Sequence, residues 1–129
     1  MTIKEILLID DNDIDNYINK LIVAKEKRVK KITIKNSPID ALQYLRTKEG
    51  EFPELIFLDI KMPEMNGFGF LEEFSKFAEV KKDKCNIVML TSSCHSSDIE
   101  AAKKNPYLIK FLIKPLNNSK LSEVLKLVI

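Results

Sequence analysis

Three acidic residues follow apolar runs in this 129-residue chain. Asp10 and Asp11 follow the run Ile6–Ile9, and Asp59 follows Leu55–Leu58. Continuous apolar runs of this length are typical of strands that are buried on both faces of a parallel sheet. Carboxylates brought together at the ends of such strands repel each other unless a cation lies between them. The pattern therefore indicates a cation site at one edge of a sheet.

A hydroxyl and an ammonium group follow two further strand-like runs. Thr91 comes after Ile87–Leu90, and Lys114 comes after Leu108–Ile113. The carboxyl ends of parallel strands lie at the same edge of a sheet, and open α/β sheets bind their ligands at this edge. We therefore expect both residues to lie beside the three carboxylates.

Together these five residues have the chemistry of an aspartyl phosphate site. Mg²⁺ takes one or two carboxylates and keeps several waters for a phosphate, so Asp10 and Asp11 are the predicted metal-binding pair. Asp59 is then the predicted nucleophile. Lys114 adds a positive charge and Thr91 a hydroxyl donor, and both suit the oxygens of a transferring phosphoryl group.

The remaining residues supply the elements that bring this site together. Apolar residues at helical spacing separate the strand-like runs. They are Ile14, Tyr17, Ile18, Leu21 and Ile22; Ile39, Leu42 and Leu45; Phe70, Leu71, Phe74, Phe77 and Ala78; Ile99, Ala101 and Ala102; and Leu121, Val124, Leu125 and Val128. Five βα units in a row predict an α/β fold in which helices cover both faces of a parallel sheet.

Strand composition and helix caps add detail to this prediction. Ile32–Lys35 and Leu108–Ile113 are more mixed than the other strands, so we expect them nearer the edges of the sheet. Predicted helix starts lie at Ser37-Pro38, Ser96-Ser97-Asp98 and Asn117-Asn118-Ser119.

The overall composition fits one domain spanning residues 1–129. Hydrophobic residues make up 45% of the chain, and 21 basic and 19 acidic residues give a formal charge of +2. This balance gives no reason to expect a nucleic-acid partner, and we interpret the basic clusters at 25–31 and 81–84 as solvated surface. The chain shows no signal peptide and no apolar stretch of the ~20 residues that a membrane span needs, so we expect a cytoplasmic protein.

The cysteines and the single histidine do not predict a further site. An extended chain between Cys85 and Cys94 would hold their sulfur atoms beyond disulfide reach, so both are predicted to be free thiols. His95 stands beside Cys94, and neither cysteine has a metal-ligand spacing.

The chain resembles the CheY-like receiver domains of bacterial two-component response regulators over essentially its whole length. The resemblance is carried by Asp10-Asp11, by Asp59 with Met62-Pro63 and Gly67 after it, by Thr91-Ser92 and by Lys114-Pro115. It implies a flavodoxin-like, doubly wound fold of five strands in the order 2-1-3-4-5.

The resemblance also implies a role for each site residue. Asp59 would accept a phosphoryl group from a sensor histidine kinase or a histidine phosphotransfer protein. The implied Mg²⁺ ligands are Asp10, Asp11, Asp59 and the backbone carbonyl of Lys61. Thr91 and Lys114 would contact the phosphoryl oxygens, and Lys114-Pro115 would be a cis peptide.

In the family, a switch carries the phosphorylation signal to a partner. Thr91 would move toward the phosphoryl group while Phe111, three residues before Lys114, turns inward. Because Phe111 lacks a hydroxyl, packing rather than a hydrogen bond must report its state. The implied target surface combines the helix around Ile99–Ala102, the last strand and the last helix. Ser93 is small and is expected to leave room for an attacking water.

Several functions stay open at this point. The preferred hypothesis is a stand-alone phosphoryl acceptor that hydrolyses its own phosphate slowly and is otherwise not an enzyme. The chain could also be the receiver part of a longer regulator. A phosphohydrolase usually carries a second aspartate two residues after the nucleophile, where this chain has Lys61. A flavin or nucleotide site would need a Gly- or Ser/Thr-rich loop, where this chain has Asp10-Asp11-Asn12-Asp13.

Overall fold

The computed structural model describes residues 1–92 and 95–129. Its strands are β1 (Ile6–Ile9), β2 (Ile32–Lys35), β3 (Leu55–Leu58), β4 (Asn86–Thr91) and β5 (Leu108–Ile113). The helices among the described residues are α1 (Asp13–Ala24), α2 (Pro38–Thr47), α3 (Gly67–Ser75), α4 (Glu79–Lys82), α5 (Ser96–Lys104) and α6 (Asn118–Val128).

The five strands form one parallel sheet in the order β2-β1-β3-β4-β5. The predicted fold class and strand order are therefore confirmed, and β2 and β5 lie at the two edges, as their mixed composition predicts. β1 and β3 are neighbours, and Ile9 lies opposite Leu58 in their register. Asp10 and Asp59 are the next residue of each strand, so both leave the sheet at the same level.

Two apolar layers hold the sheet between the helices. One layer joins alternate strand residues such as Leu7 and Ile56 to α2, α3 and α5. The other joins residues such as Leu8 and Phe57 to α1 and α6. Strands buried on both faces account for the continuous apolar runs in the sequence. The sheet edge that carries the acids is therefore built on a rigid, fully packed support.

Helix α1 forms where its periodicity predicts, but most of its apolar stripe faces outward. An amphipathic helix normally turns such a stripe toward the core. The exposed fractions are 70% for Ile14, 62% for Tyr17, 42% for Ile18 and 46% for Leu21. The buried residues of the helix are Asn16, Asn19 and Val23. The structure thus leaves an apolar surface open on α1, which we call the outer face of α1.

The interpretation of segment 81–84 as solvated is wrong for Lys82. This segment includes the end of the short helix α4, which the sequence did not predict, and only 5% of Lys82 is exposed. The Lys82 ammonium donates to the Ser75 carbonyl at 2.7 Å and to the Tyr107 hydroxyl at 2.9 Å, and it pairs with Glu79 at 3.0 Å. These partners satisfy all three N–H donors, which is what makes burial of the amine tolerable.

Two of the three predicted helix caps are found in the structure. The Ser37 side chain accepts a hydrogen bond from the Asp40 backbone amide, and Pro38 is the first residue of that helix. The Asn117 side chain accepts a hydrogen bond from the Lys120 backbone amide. Helix α5 begins at Ser96, within the predicted start, but its N-cap residue is His95, whose side chain makes no capping hydrogen bond.

Predictions for the thiols are tested only in part. Cys85 is a free thiol, and burial raises its pKa to about 12, so it is protonated at neutral pH. Cys94 and Ser93 lie outside the described residues, and the predictions made for them stay predictions. Among the described residues, no helix has the length and apolar character required to cross a bilayer.

Candidate functional site

Three carboxylates converge at the carboxyl edge of the sheet. Asp10 and Asp59 follow the central strands β1 and β3, and the Asp59 amide donates to the Ile9 carbonyl at 3.1 Å. Asp10, Asp11 and Asp59 each place one carboxylate oxygen within 4.8 Å of the others. Asp10 and Asp59 are buried, whereas Asp11 is exposed. The cluster therefore opens to solvent on the side of Asp11.

The Lys114 ammonium lies against this cluster. Its Nζ atom is 2.7 Å from Asp10 Oδ2 and 3.3 Å from Asp59 Oδ2. A third carboxylate, Asp15 in the first turn of α1, places its Oδ2 at 2.7 Å. An ammonium has three N–H donors, so these three oxygens match its whole hydrogen-bonding capacity.

Burial and charge set the ionisation of Lys114 and Asp10. Burial alone would lower the pKa of Lys114, but hydrogen bonds to Asp10 and Asp15 and the nearby charge of Asp59 raise that pKa above its ordinary value. Burial raises the pKa of Asp10, and the Asp59 charge adds to this rise, while hydrogen bonds from Lys114 and Asn12 oppose it. The lysine is therefore cationic at neutral pH and offsets part of the repulsion between the acids.

Backbone and amide groups orient the two buried carboxylates. Asp10 Oδ1 accepts from the Asn12 amide at 2.9 Å, and Asp59 Oδ1 accepts from the Ile60 amide at 2.8 Å. In each acid the Oδ2 atom is left to face Lys114. Asn16 reaches in from α1 and donates its Nδ2 to the Asp10 carbonyl at 2.7 Å.

A close return of the chain fixes the segment after Asp59. The Gly67 amide donates to the Ile60 carbonyl at 2.8 Å. A Cβ atom at Gly67 would lie 2.4 Å from the Asp59 carbonyl oxygen, which is backbone and cannot swing away. Only glycine therefore fits at this first position of α3.

The residues that lead to Lys114 are fixed on two sides. The Lys114 amide donates to the Thr91 carbonyl at 2.8 Å. Lys120 of α6 donates its Nζ to the Ile113 carbonyl at 2.6 Å and to the Pro115 carbonyl at 3.0 Å. The Lys114-Pro115 peptide is cis, as the resemblance implies.

The other predicted site residues occupy three different environments. Thr91 ends β4, next to the strand that leads to Lys114, and its exposed fraction is 1%. Phe111 lies in β5 opposite Met89 and is half-buried against the apolar layer of α2, α3 and α5. Lys61 is exposed, two residues after Asp59.

Sequence reasoning missed three polar residues of α1 and its cap. They are Asp15, which pairs with Lys114; Asn12, which caps α1 and donates its amide to Asp10; and Asn16, which bonds the Asp10 carbonyl. The density of acids is a visible signal, since Asp13 and Asp15 both follow within four residues of Asp11. The apolar stripe of α1 instead predicts that the opposite face of this helix is the buried one.

Comparison with known proteins agrees with this geometry. The response regulator receiver domain family matches residues 6–126. The chain belongs to this family. It is therefore a receiver domain of the two-component response regulators, a class of phosphoacceptors whose acidic pocket binds Mg²⁺.

Solved receiver structures resemble the chain closely. A response regulator receiver protein from Dyadobacter fermentans is 31% identical with a TM-score of 0.85, and the match covers 95% of each chain. A two-component response regulator from Cytophaga hutchinsonii is 30% identical with a TM-score of 0.87, and the match covers 99% of this chain and 98% of that one.

A curated relative is longer than this chain. An uncharacterized response regulatory protein from Staphylococcus epidermidis is 24% identical over 126 residues. The match covers 98% of this chain and 46% of that protein. The chain thus spans about half the length of this relative.

The donor set of this receiver domain fits Mg²⁺. Hard divalent cations prefer carboxylate oxygens, and Mg²⁺ keeps several waters, which an opening on the Asp11 side can accommodate. Asp10, Asp11 and Asp59 supply three carboxylate oxygens within 4.8 Å of one another, beside the Lys114 ammonium. The excess negative charge is what a divalent cation would neutralise.

Gly67→Ala is expected to destabilise the site, because the added methyl group meets the Asp59 backbone. We expect a loss of about 1–3 kcal/mol in the free energy of unfolding, typical of overpacking. Gly69→Ala is the matched control, since its Cβ would lie 2.9 Å from the flexible Met65 side chain and in ordinary contact with the Asn66 side-chain oxygen at 3.7 Å, with no backbone atom among these contacts. Urea unfolding of both variants is the measurement. Equal stability of the two would contradict the role assigned to Gly67.

Proposed function

We propose that Asp59 is the residue of this receiver domain that accepts the phosphoryl group, and that Lys114 and the Asp10-Asp11 pair assist it. The observation that supports this assignment is the shared ammonium, whose Nζ lies 2.7 Å from Asp10 Oδ2 and 3.3 Å from Asp59 Oδ2. One cation thus links Asp10 of the proposed metal-binding pair to the proposed nucleophile. A phosphoryl group bound to Asp59 would therefore form next to a positive charge.

Phosphoryl transfer to Asp59 needs no reactant other than the phosphodonor. A carboxylate oxygen of Asp59 attacks the phosphorus atom of a phosphohistidine or an acyl phosphate, and a new O–P bond forms. The P–N or P–O bond to the donor breaks, and the imidazole or carboxylate leaves with the bond electrons. Charge on the equatorial oxygens is met by the Lys114 ammonium and the Thr91 hydroxyl.

Asp10, Asp11, Asp59 and the Lys61 carbonyl are the proposed Mg²⁺ ligands. The bound ion would neutralise charge on the phosphoryl oxygens and bring the donor phosphate and the nucleophile together. The chain's own part is to hold the acids in place, and the Asn12 and Ile60 amides do so for Asp10 and Asp59.

The outer face of α1 is the proposed contact for a protein phosphodonor. A sensor histidine kinase or phosphotransfer protein must bring its phosphohistidine to Asp59, so it has to cover the surrounding sheet edge. Helix α1 starts at this edge, and its exposed stripe includes Tyr17 at 62% and Ile18 at 42% exposure. Exposed apolar residues grouped in this way are typical of protein interaction surfaces.

Output is proposed to pass through the face formed by α5, β5 and α6. Ile109 and Ile113 of the edge strand β5 are 37% and 39% exposed. A cavity of about 160 Å³ lies between α5 and β5 and is lined by Ala102, Lys103, Leu108, Ile109, Lys110 and Phe111. Movement of Phe111 would change the shape of this cavity, so a target can read the phosphorylation state there.

Whether the receiver acts alone or as part of a longer regulator, we propose that it works in a cytoplasmic signalling pathway. In both cases the domain is a phosphoacceptor whose own hydrolysis of the phosphate is slow. The full-length open reading frame distinguishes the two forms, since an output domain encoded in the same frame would exclude the stand-alone form.

Asp59→Asn is expected to abolish phosphoryl uptake from acetyl phosphate, because an amide oxygen is a poor nucleophile. Intact-mass measurement should show one hydroxylamine-labile phosphoryl group on the wild type, only when Mg²⁺ is present and not with excess chelator. Asp13→Asn removes an exposed acid and should label normally. Wild-type labelling of Asp59→Asn would exclude the assigned acceptor.

Lys114→Ala is expected to permit some labelling but to lose the conformational response. In the wild type, NMR should show phosphorylation-dependent shifts at Phe111 and Ile109. The shifts should be absent in the variant, because the ammonium that joins the phosphoryl group to the end of β5 is gone. The same shifts in both proteins would remove Lys114 from the switch.

Ile18→Lys is expected to slow transfer from a protein donor by about tenfold, since it places a charge in an apolar contact at a cost of roughly 1.4 kcal/mol. Ile109→Lys is the matched control on the output face. The measurement is the initial rate of transfer from purified phosphorylated histidine phosphotransfer domains of the same organism. Labelling by acetyl phosphate serves as an internal reference. Equal rates for both variants would exclude the outer face of α1 as the donor contact.

A further inference from the structure

We propose that Asp15 is a positioning residue for phosphoryl transfer: it draws the Lys114 ammonium away from the nucleophile Asp59. This inference rests on the proposed function of Asp59. It concerns a residue of α1 that lies outside the set of acids at the strand ends. The geometry that carries it is the unequal sharing of one ammonium among three carboxylates.

The distances show how the ammonium is shared. Nζ of Lys114 lies 2.7 Å from Asp15 and 2.7 Å from Asp10, but 3.3 Å from Asp59. The shorter distances are typical of charge-assisted hydrogen bonds, whereas 3.3 Å is a weak one. The lysine is therefore held mainly by the two acids that are not the nucleophile.

The three acids that hold the ammonium differ in how far they are buried. The Asp10 and Asp59 side chains are 5% and 9% exposed, whereas Asp15 is 33% exposed at the outer end of the group. A lysine that paired only with the two buried acids would compete with a cation for the same oxygens. Asp15 offers the ammonium a partner that the proposed metal does not use.

Two consequences follow for a chain that lacks the Asp15 charge. The ammonium has only Asp10 and Asp59 left, so it binds both more closely. The Asp59 oxygen is then less available to attack phosphorus, and Asp10 is less available to a cation. Loss of one negative charge near the site also weakens cation binding. Tighter pairing of Asp10 with the ammonium and the lost charge therefore both lower the affinity for a cation.

The chain offers a matched control for this idea. Asp13 and Asp15 are the two acids in the first turn of α1, and both therefore interact with the helix dipole. Asp13 is exposed, and no ion pair joins it to another residue in the described parts of the chain. Comparing Asp15→Asn with Asp13→Asn thus separates the lysine contact from a general loss of charge or of helix stability.

The first measurement needs neither metal nor phosphate. Hydrogen exchange of the Lys114 ammonium protons, followed by NMR of lysine-labelled protein, reports how firmly Nζ is held. We expect faster exchange in Asp15→Asn, because one of the three N–H groups loses its carboxylate partner while the other two keep theirs. Exchange should be unchanged in Asp13→Asn, and protection should be restored in Asp15→Glu. Unchanged exchange in Asp15→Asn would overturn the proposal, whether or not Asp59 is the acceptor.

The second measurement is the Mg²⁺ dependence of labelling by acetyl phosphate. We expect Asp15→Asn to raise the half-saturating Mg²⁺ concentration by roughly tenfold, the size typical of losing a residue that orients a metal ligand. Asp15→Glu should recover most of the wild-type value, and Asp13→Asn should match the wild type. Equal shifts in the two asparagine variants, or a loss of thermal stability alone, would overturn the proposal. Absence of labelling in the wild type would instead refute the function of Asp59.

Discussion

Repulsion between carboxylates at the ends of neighbouring strands is the constraint on which the rest of this structure depends. Asp10 and Asp59 leave β1 and β3 at the same level of the sheet, and both are buried. Buried like charges are tolerated only when a counter-charge and hydrogen bonds accompany them. Lys114 supplies the counter-charge, and the Asn12 and Ile60 amides supply the hydrogen bonds. The remaining negative charge makes this edge of the sheet suited to a divalent cation.

The apolar pattern of the sequence predicts the sheet correctly but predicts the buried face of helix α1 poorly. Strands buried on both faces must be apolar throughout, so runs such as Ile6–Ile9 and Leu55–Leu58 predict strand, parallel sheet and central position together. The inner side of helix α1 does more than pack against the sheet, because it must also supply a hydrogen-bond donor to the Asp10 backbone carbonyl. Asn16 does this by donating to the Asp10 carbonyl, and Asn16 and Asn19 occupy the buried face where apolar residues would be expected.

Residues with one strong local signal were found from the sequence, and those that depend on distant partners were not. Asp59 is recognisable from the sequence because it directly follows the apolar run Leu55–Leu58. Asp15 looks like an ordinary acid in a first helical turn, and its contact with Lys114 spans 99 positions of sequence. The sequence predicts a solvated Lys82 for the same reason, since its burial depends on Tyr107, 25 positions away. Periodicity reports which elements form, but it carries no information on which polar groups meet across them.

One residue joins the chemistry to the part of the fold that can report it. The Lys114 side chain is held by carboxylates from β1, α1 and β3, while its amide bonds the Thr91 carbonyl at the end of β4. Phe111 lies three residues earlier on the same strand, half-buried between the apolar layer and the output face. With Asp59 as the proposed acceptor, a phosphoryl group there would redistribute the ammonium, because all three of its donors already have partners. Because Lys114 directly follows β5 and Phe111 lies within that strand, we propose that this redistribution alters the packing of Phe111.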